Sequence, residues 1–567
     1  MGRRLSDRRL RLLLALLLAA FAVALARAAW LQTVQAGELD RLASRQQRET
    51  VPIPAGRGAI LDRMGVPLAL GEEATTVYAN PRQVRNPRAV ALAAAETLGV
   101  DPDRLYPQLI DRKKAFVYIQ RKADPAKAAE LERRDLPGLG FYPEERRVYP
   151  QGGVAAQVLG YAGVDNRGLA GLELELERVL AGRPGRKTIV KDPLGRALEV
   201  VRTVPERPGK NVLLTLDHTI QANAQSVLEQ TVRQWGAKRA TAVVLDSKTG
   251  GILAMAVAPG FDANRYPQVR DELHRNATVT DTYEPGSTFK VVTVAAALSE
   301  RLVRPDTAFT LPYGIQVADR VIHDAEPRPT ERMTVAEILY RSSNVGAITL
   351  ARLLGPERLA RWIERFGFGR PTGIDFPGES PGIVLPLGQW SGSTIGNIPI
   401  GQGIAVTPVQ MAAAYAAVAN DGLWLTPHLV ERVVGGGRPK VERRRVLAPE
   451  VARVVRSMLV NVVSRGTGTA AGVPGYRVAG KTGTAAKPDP VSGGYSTTRY
   501  VASFVGIVPA SRPRLVILVT VDEPQGAIWG GVVAAPAFAK IARFALQYLE
   551  VVPDDPASLA TSASASG

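Results

Sequence analysis

The apolar and polar positions of this chain fall into two regimes. The first is one unbroken apolar run, LLLALLLAAFAVALA from Leu12 to Ala26. Carried through Arg27, whose long side chain can snorkel, to Trp30 and Leu31, it reaches about 20 residues, enough to cross a bilayer with the tryptophan at interfacial depth. After it the pattern becomes short and punctuated. AGELDRLASRQQRE reads as a polar helical stretch, and VPIPAGRGAILDRMGVPLAL as short apolar strands broken by Pro and Gly. Between about Val51 and Val204, strand-like pieces mix with helices such as AKAAELERRD and GLELELERVL, which predicts a loop-rich α+β module. The Pro/Gly-rich VPERPGKN, Val204 to Asn211, then separates strand-like EVVRT from strand-like VLLTLD and marks a domain boundary. Beyond it the order is strand, long amphipathic helix (HTIQANAQSVLEQTVRQWG) and a hairpin-like pair (ATAVVLDSKTGGILAMAVAP). A series of helices follows, then two strands (YVASFVGIVPA and RLVILVTVDEP) and a last helix (AAPAFAKIARFALQYLE). Strands at both ends with helices between predict one sheet assembled from the two ends around a helical insert. The closing DDPASLATSASASG lacks apolar anchors and is expected to be disordered.

Composition narrows the classes. With 567 residues, 46% of them apolar, the chain can bury more than one core and is expected to form two or three folded units. The net charge of +18 comes from arginines spread among acidic residues, as in ELERRDLPG and PERLARWIERFG. That pattern fits solvated faces and an anionic envelope, and not nucleic acid, because no basic stripe with interleaved aromatics occurs. There are no cysteines, which excludes disulfides, a thiol nucleophile and a Cys-ligated zinc site. His218, His274, His323 and His428 form no short-spaced pair that would suggest a metal centre. Arg3, Arg4, Arg8, Arg9 and Arg11 ahead of the apolar run keep the amino end cytoplasmic and send the rest outward. A cleaved signal peptide is the competing reading, since Ala24-Leu25-Ala26 and Ala26-Arg27-Ala28 both have a small-x-small form.

One segment carries two incompatible signals. From Gly475 to Thr482, GYRVAGKT fits the phosphate-binding G-x-x-x-x-G-K-T; from Lys481, KTGT fits the substrate-side strand of serine acyl-transfer enzymes. A P-loop needs a helix opening at the Lys-Thr, and GTAAKPDPVSGG cannot supply one. The serine reading instead requires partners upstream. In YEPGSTFKVVTVAAALSE, Ser287 stands at the opening of an apolar helix with Lys290 three residues on, on the same face. A desolvated lysine with a lowered pKa is a suitable base for a hydroxyl that is otherwise a weak nucleophile. Alone, that S-x-x-K is weak evidence, the bland alternative being a capped core helix. YRSSNVG supplies Ser342 and Asn344 at a break between helices, where an ordinary cap is the bland alternative. Ser342 is a candidate proton relay and Asn344 a candidate amide for the substrate backbone. In Lys481-Thr482-Gly483-Thr484, an extended strand can bind a peptide edge-on, the glycine allows close approach, and the threonine hydroxyls and lysine suit a carboxylate. A second K-T-G, Lys248 to Gly250, lies before Ser287, is expected in a turn between two strands, and serves as a decoy. The weight rests on three motifs in one order.

Taken together, these motifs resemble those of the class B penicillin-binding proteins, membrane-anchored peptidoglycan D,D-transpeptidases. The similarity extends to RGAILDRMGVPLA and RRVYPQGGVAAQVLGYAGVDNRGLAGLELELERVLAG in the N-terminal half, and to LLTLDHTIQ, FGFGRPTGIDFPGE, IPIGQGIAVTPVQMAAAYAAVANDG and SFVGIVPA further on. VDEPQGAIWGGVVAAPAFAKIA is closer to the septal, FtsI-type branch than to the elongation branch. Ala486 stands where many relatives place Gln. The resemblance implies an α+β fold: a transpeptidase domain of the penicillin-binding and serine β-lactamase type, an antiparallel sheet flanked by helices, on an α+β pedestal. The expected organisation is a basic cytoplasmic tail (1–11), a transmembrane anchor (12–31), a dimerisation-type pedestal (32–205), the transpeptidase domain (206–552) and the tail (553–567). It also implies Ser287 as nucleophile, Lys290 as base, Ser342, Asn344 and Lys481 as further catalytic groups, and Thr482, Gly483 and Thr484 as substrate-binding. Implied partners are peptidoglycan stem peptides on glycan from lipid-linked precursors, β-lactams, a SEDS-type glycan polymerase and other division proteins; no metal, organic cofactor, nucleotide or nucleic acid is required. A D,D-carboxypeptidase or β-lactamase, an elongation-type enzyme, and a non-catalytic β-lactam-binding scaffold stay open.

Overall fold

The computed structural model describes residues 2–34, 48–191, 197–489 and 493–558. By contact, the chain divides into two units, 1–56 with 182–208 and 57–181 with 209–567. The first holds helix α1 (Gly2–Thr33), of which Arg8–Thr33 is long and apolar enough to cross a membrane and leaves its apolar window unburied. It also holds a three-stranded antiparallel sheet in which Gly185–Lys191 lies between Arg48–Ile53 and Ala197–Val204. Most of the expected polar helix, residues 36–47, lies outside the described residues; its last two, Arg48 and Glu49, begin the first strand of that sheet.

The second unit contains the five-stranded sheet that the strand pattern anticipates. Its strands are β1 (Arg239–Asp246), β2 (Ile252–Ala258), β3 (Ala479–Asp489), β4 (Gly494–Val508) and β5 (Leu515–Asp522), in the spatial order β2-β1-β5-β4-β3. Every neighbouring pair is antiparallel, and the first hairpin pairs with the last three strands through β1 and β5. Alternation sends successive side chains to opposite faces. Val243 and Leu245 therefore join the core that contains α3 (Lys290–Ser299) and α5 (Pro408–Ala419), whereas Ala242 and Val244 join the core of α2 (His218–Trp235) and α7 (Ala535–Tyr548). Because helices cover both faces, these strands read as continuous apolar runs.

Local chemistry fixes the helices. Asp217 caps α2 by accepting from the Thr219 and Ile220 N–H groups, and Gly236 closes it in the left-handed conformation. Thr407 and Gln410 form a capping box on α5, all of whose residues are buried, as expected for a helix that is apolar on every side. The remaining helices that matter here are α4 (Asn344–Leu354) and α6 (Pro449–Arg465).

A second sheet is built around Pro67–Ala79, which pairs with Val117–Ala123 and Leu139–Val148 over a separate apolar cluster; through Ile60–Leu61 it also takes in Val212–Leu214 and Val430–Val433, so the strand-like VLLTLD joins this sheet and not the five-stranded one. Arg57 and Arg147 meet the buried Glu173, each through Nε at 2.6 Å. At the other end, residues 559–567 of the expected tail lie outside the described residues. Before them, Asp554 accepts from Arg477 N at 2.8 Å and Ser558 Oγ from Gly475 N at 2.8 Å, so residues 553–558 are tied to the loop ahead of β3.

Candidate active site

Ser287 lies in a single turn of 3-10 helix, Gly286–Phe289, that runs directly into α3. Gly286 has φ of 54°, and a Cβ there would meet the Thr484 carbonyl oxygen at 2.7 Å, so only glycine lets this turn press against β3. Lys290, the first residue of α3, is fully buried. Its Nζ lies 3.0 Å from Ser287 Oγ, 2.7 Å from Asn344 Oδ1, 2.5 Å from the Ser342 carbonyl oxygen and 3.3 Å from Ser342 Oγ. Burial pulls this amine down to about 7, with Asp324 opposing the shift. The group is thus available as a neutral amine near physiological pH.

The break between Val335–Tyr340 and α4 is shaped by two serines with different tasks. Ser343 caps α4, its Oγ accepting from Gly346 N at 3.0 Å. Ser342 instead adopts φ of 63°, a left-handed conformation that costs a serine on the order of 1–3 kcal/mol and is characteristic of functional positions. The bland capping role therefore falls to Ser343, and the Ser342 hydroxyl is left between the two lysines.

Strand β3 brings in the third motif. Lys481 is fully buried, with Nζ 2.9 Å from Ser342 Oγ, and burial together with the nearby Lys290 charge holds its amine well below the usual lysine value. Thr482 Oγ1 shares a 2.7 Å hydrogen bond with Thr467 Oγ1, and Thr484 Oγ1 accepts from Gly530 N at 3.1 Å, which leaves the Thr484 hydroxyl proton for a ligand. Gly483 packs against Pro285, where a Cβ would meet the carbonyl oxygen at 2.7 Å. β3 continues as strand to Asp489, so no helix opens at Lys481–Thr482 and the phosphate-loop geometry is absent. Lys248 sits exposed in the turn between β1 and β2, as the decoy reading expects.

All eight candidate residues from the sequence are therefore brought together at one place. Asn344 is engaged on both sides, since its Nδ2 also donates to His323 O at 2.9 Å, but one amide hydrogen remains for a substrate carbonyl. Sequence reasoning missed Asp324, whose carboxylate takes up Ser343 and the start of α4; HDAEPR carries no motif that signals it. It also missed Thr467 and Gly530, which fix the two threonines. Among the described residues, Asp62, Asp217 and His218 place potential metal ligands within 4.8 Å of one another. There, however, His218 Nδ1 is already 2.6 Å from Asp62 Oδ2, and Arg63 lies 3.7 Å from Asp217, so each of the three is engaged within the protein.

Comparison with known proteins accords with this geometry. Residues 240–543 match the penicillin binding protein transpeptidase domain, and residues 52–214 the penicillin-binding protein dimerisation domain. The chain is 36% identical to penicillin-binding protein PbpB of Mycolicibacterium smegmatis, covering 94% of this chain and 89% of that one. It is 33% identical to the peptidoglycan D,D-transpeptidase FtsI of Escherichia coli, over 96% and 92%. A crystal structure of penicillin binding protein 3 from Mycobacterium tuberculosis, complexed with aztreonam, is similar with a TM-score of 0.70 at 34% identity, covering 89% of this chain and 99% of that one. A buried lysine on the serine, a second lysine across a strained serine, and these matches over both halves lead to one conclusion: the chain belongs to the transpeptidase family of penicillin-binding proteins.

Proposed function

We propose that the protein is a peptidoglycan D,D-transpeptidase that works through a serine acyl-enzyme, and that it serves septal wall synthesis. The observation that carries this reading is the buried Lys290 amine 3.0 Å from Ser287 Oγ. Ser287 Oγ attacks the carbonyl of the penultimate residue of a D-Ala-D-Ala stem, and its proton passes to Lys290. The resulting oxyanion is met by the backbone N–H groups of Ser287 and Thr484, whose chains lie against each other at Gly286. As the C–N bond breaks, the proton reaches the leaving D-alanine amine by way of Ser342 Oγ, which lies between Lys290 and Lys481. An amine of a neighbouring stem then attacks the ester, forming the cross-link and restoring Ser287. Asn344 holds the donor backbone, and Thr482, Thr484 and Lys481 hold its carboxylate end beside Gly483.

α1 supports a membrane anchor, and the arginines in its first turns, ahead of the apolar run, support a cytoplasmic amino end with the site outside. The relative named FtsI and the VDEPQGAIWGG segment support the septal assignment, with a SEDS-type glycan polymerase as partner. A β-lactam presents the same carbonyl and should acylate Ser287 with slow release. The test is labelling with a fluorescent penicillin followed by peptide mapping. Adduct on Ser287, lost in Ser287→Ala and retained in Lys248→Ala, is expected. A folded protein that takes no label would overturn the enzyme reading in favour of a scaffold.

A further inference from the structure

The two lysines of the site are a charge problem. Lys290 and Lys481 are both fully buried, neither forms an ion pair among the described residues, and each proton transfer passes through a state in which one of them is an ammonium. The carboxylate that acts on Lys290 is Asp324, at the end of the hairpin formed by Gly314–Val317 and Arg320–His323.

Asp324 is nearly buried and heavily tied. Its Oδ1 accepts from Asn344 N at 2.5 Å and Val345 N at 3.0 Å, and both of its oxygens lie 3.0 Å from Ser343 Oγ. It therefore binds the N-terminal turn of α4, where a negative charge is favourable. Arg328 grips it from the other side, with Nη2 2.6 Å and Nε 2.8 Å from Oδ2. The guanidinium is itself held by the carbonyl oxygens of Leu311 (2.8 Å) and Pro312 (2.9 Å). The residue before Asp324 reaches Asn344 as well, since Asn344 Nδ2 donates to His323 O. One carboxylate thus joins a fixed arginine to the turn that contains Ser342 in its left-handed conformation.

We propose that Asp324, locked by Arg328, is a positioning residue of acylation: it holds Ser342 and Asn344 against Lys290 and supplies the negative charge that the two buried lysines lack. The assignment rests on the acyl-enzyme reading above. The charged groups bearing on Lys290 are Lys481 from β3, Asp324 from the hairpin and, behind it, Arg328. Lys481 opposes the ammonium, Asp324 favours it, and Arg328 tempers Asp324.

The two sides of the lock make opposite predictions. In Asp324→Asn, the turn is loosened and the plateau acylation rate should fall by about 10- to 100-fold, the scale of losing precise alignment. At the same time, loss of the negative charge makes the Lys290 ammonium less favourable, so the acidic limb of the pH–rate profile should move to lower pH. In Arg328→Gln, Asp324 acts unopposed and the limb should move to higher pH. A role confined to folding would slow or destabilise the protein without moving the limb in opposite directions.

The experiment is the second-order rate of acylation by a fluorescent penicillin from pH 5 to 9, on the full-length protein and both variants, with thermal melts in parallel. Opposite shifts of the limb support the proposal. An Asp324→Asn variant that acylates at the wild-type rate with an unmoved limb overturns it, as do two shifts of the same sign. If Asp324→Asn does not fold, the direction of the Arg328→Gln limb decides alone. Absence of any adduct on the wild-type protein overturns the acyl-enzyme reading itself, an outcome distinct from label that forms with unshifted limbs.

Discussion

Gly483→Ala is the substitution for which the structure gives the clearest magnitude. The added Cβ would lie 2.3 Å from Ser503 Oγ, 2.7 Å from the Pro285 carbonyl oxygen and 3.0 Å from Thr288 Cγ2. The Ser503 hydroxyl can rotate away. Pro285 O is backbone, in the turn that carries Ser287, and Thr288 adjoins the nucleophile, so the strand and the turn must separate by roughly 0.5–1 Å to restore ordinary contact. Overpacking of this kind costs about 1–3 kcal/mol of stability, too little to unfold a domain with cores on both faces of its sheet. The same displacement sits between the nucleophile and the strand that holds the substrate, where a 1 Å error costs on the order of 10²-fold in rate. Acylation by a fluorescent penicillin should therefore slow by about 10- to 100-fold while the melting temperature falls by only a few degrees. Wild-type acylation in a folded Gly483→Ala protein would refute the claim that β3 and the Ser287 turn are in fixed contact.

Three further expectations follow from the site and its supports. Burial holds the Lys290 amine at about 7 and Lys481 well below its usual value, whereas both would keep their protons to roughly pH 10 in the unfolded chain. Between about pH 7 and 9 the unfolded state binds more protons, so stability against urea should rise with pH, and the slope should be smaller in Lys290→Met; an unchanged slope would contradict the buried-amine assignment. At Ser342, the left-handed backbone favours glycine, so Ser342→Gly should be about 1 kcal/mol more stable than Ser342→Ala, with acylation slowed alike in both; equal melting temperatures would show that the turn carries no strain. Glu173→Gln leaves Arg57 and Arg147 buried without their shared carboxylate and should cost about 3–5 kcal/mol by urea unfolding, a loss below 1 kcal/mol counting against the network.

The parts legible in the sequence are those encoded by neighbours along the chain. The apolar run of α1, the short continuous apolar runs of β4 and β5, and the helix carrying Lys290 three residues after Ser287 each follow from hydropathy, run length and i,i+3 geometry, which act within a turn or two. The order of three motifs was likewise enough to choose the serine chemistry over the phosphate loop. The sequence alone named Ser342 as a relay but left it open to the bland reading of a helix cap; only the backbone at the break assigns the cap to Ser343 and turns Ser342, at φ 63°, to the lysines. Nor does HDAEPR announce Asp324, since a carboxylate 19 to 21 residues from its partners becomes a cap only when a hairpin folds back onto α4. The same holds for the lysines. Their types and order are written in the chain, but their altered acidity arises from contacts spanning 52 residues between Lys290 and Ser342 and 139 between Lys481 and Ser342, with both amines removed from water by the packed sheet and helices. Desolvation is a property of what surrounds a group, and tertiary structure alone decides it.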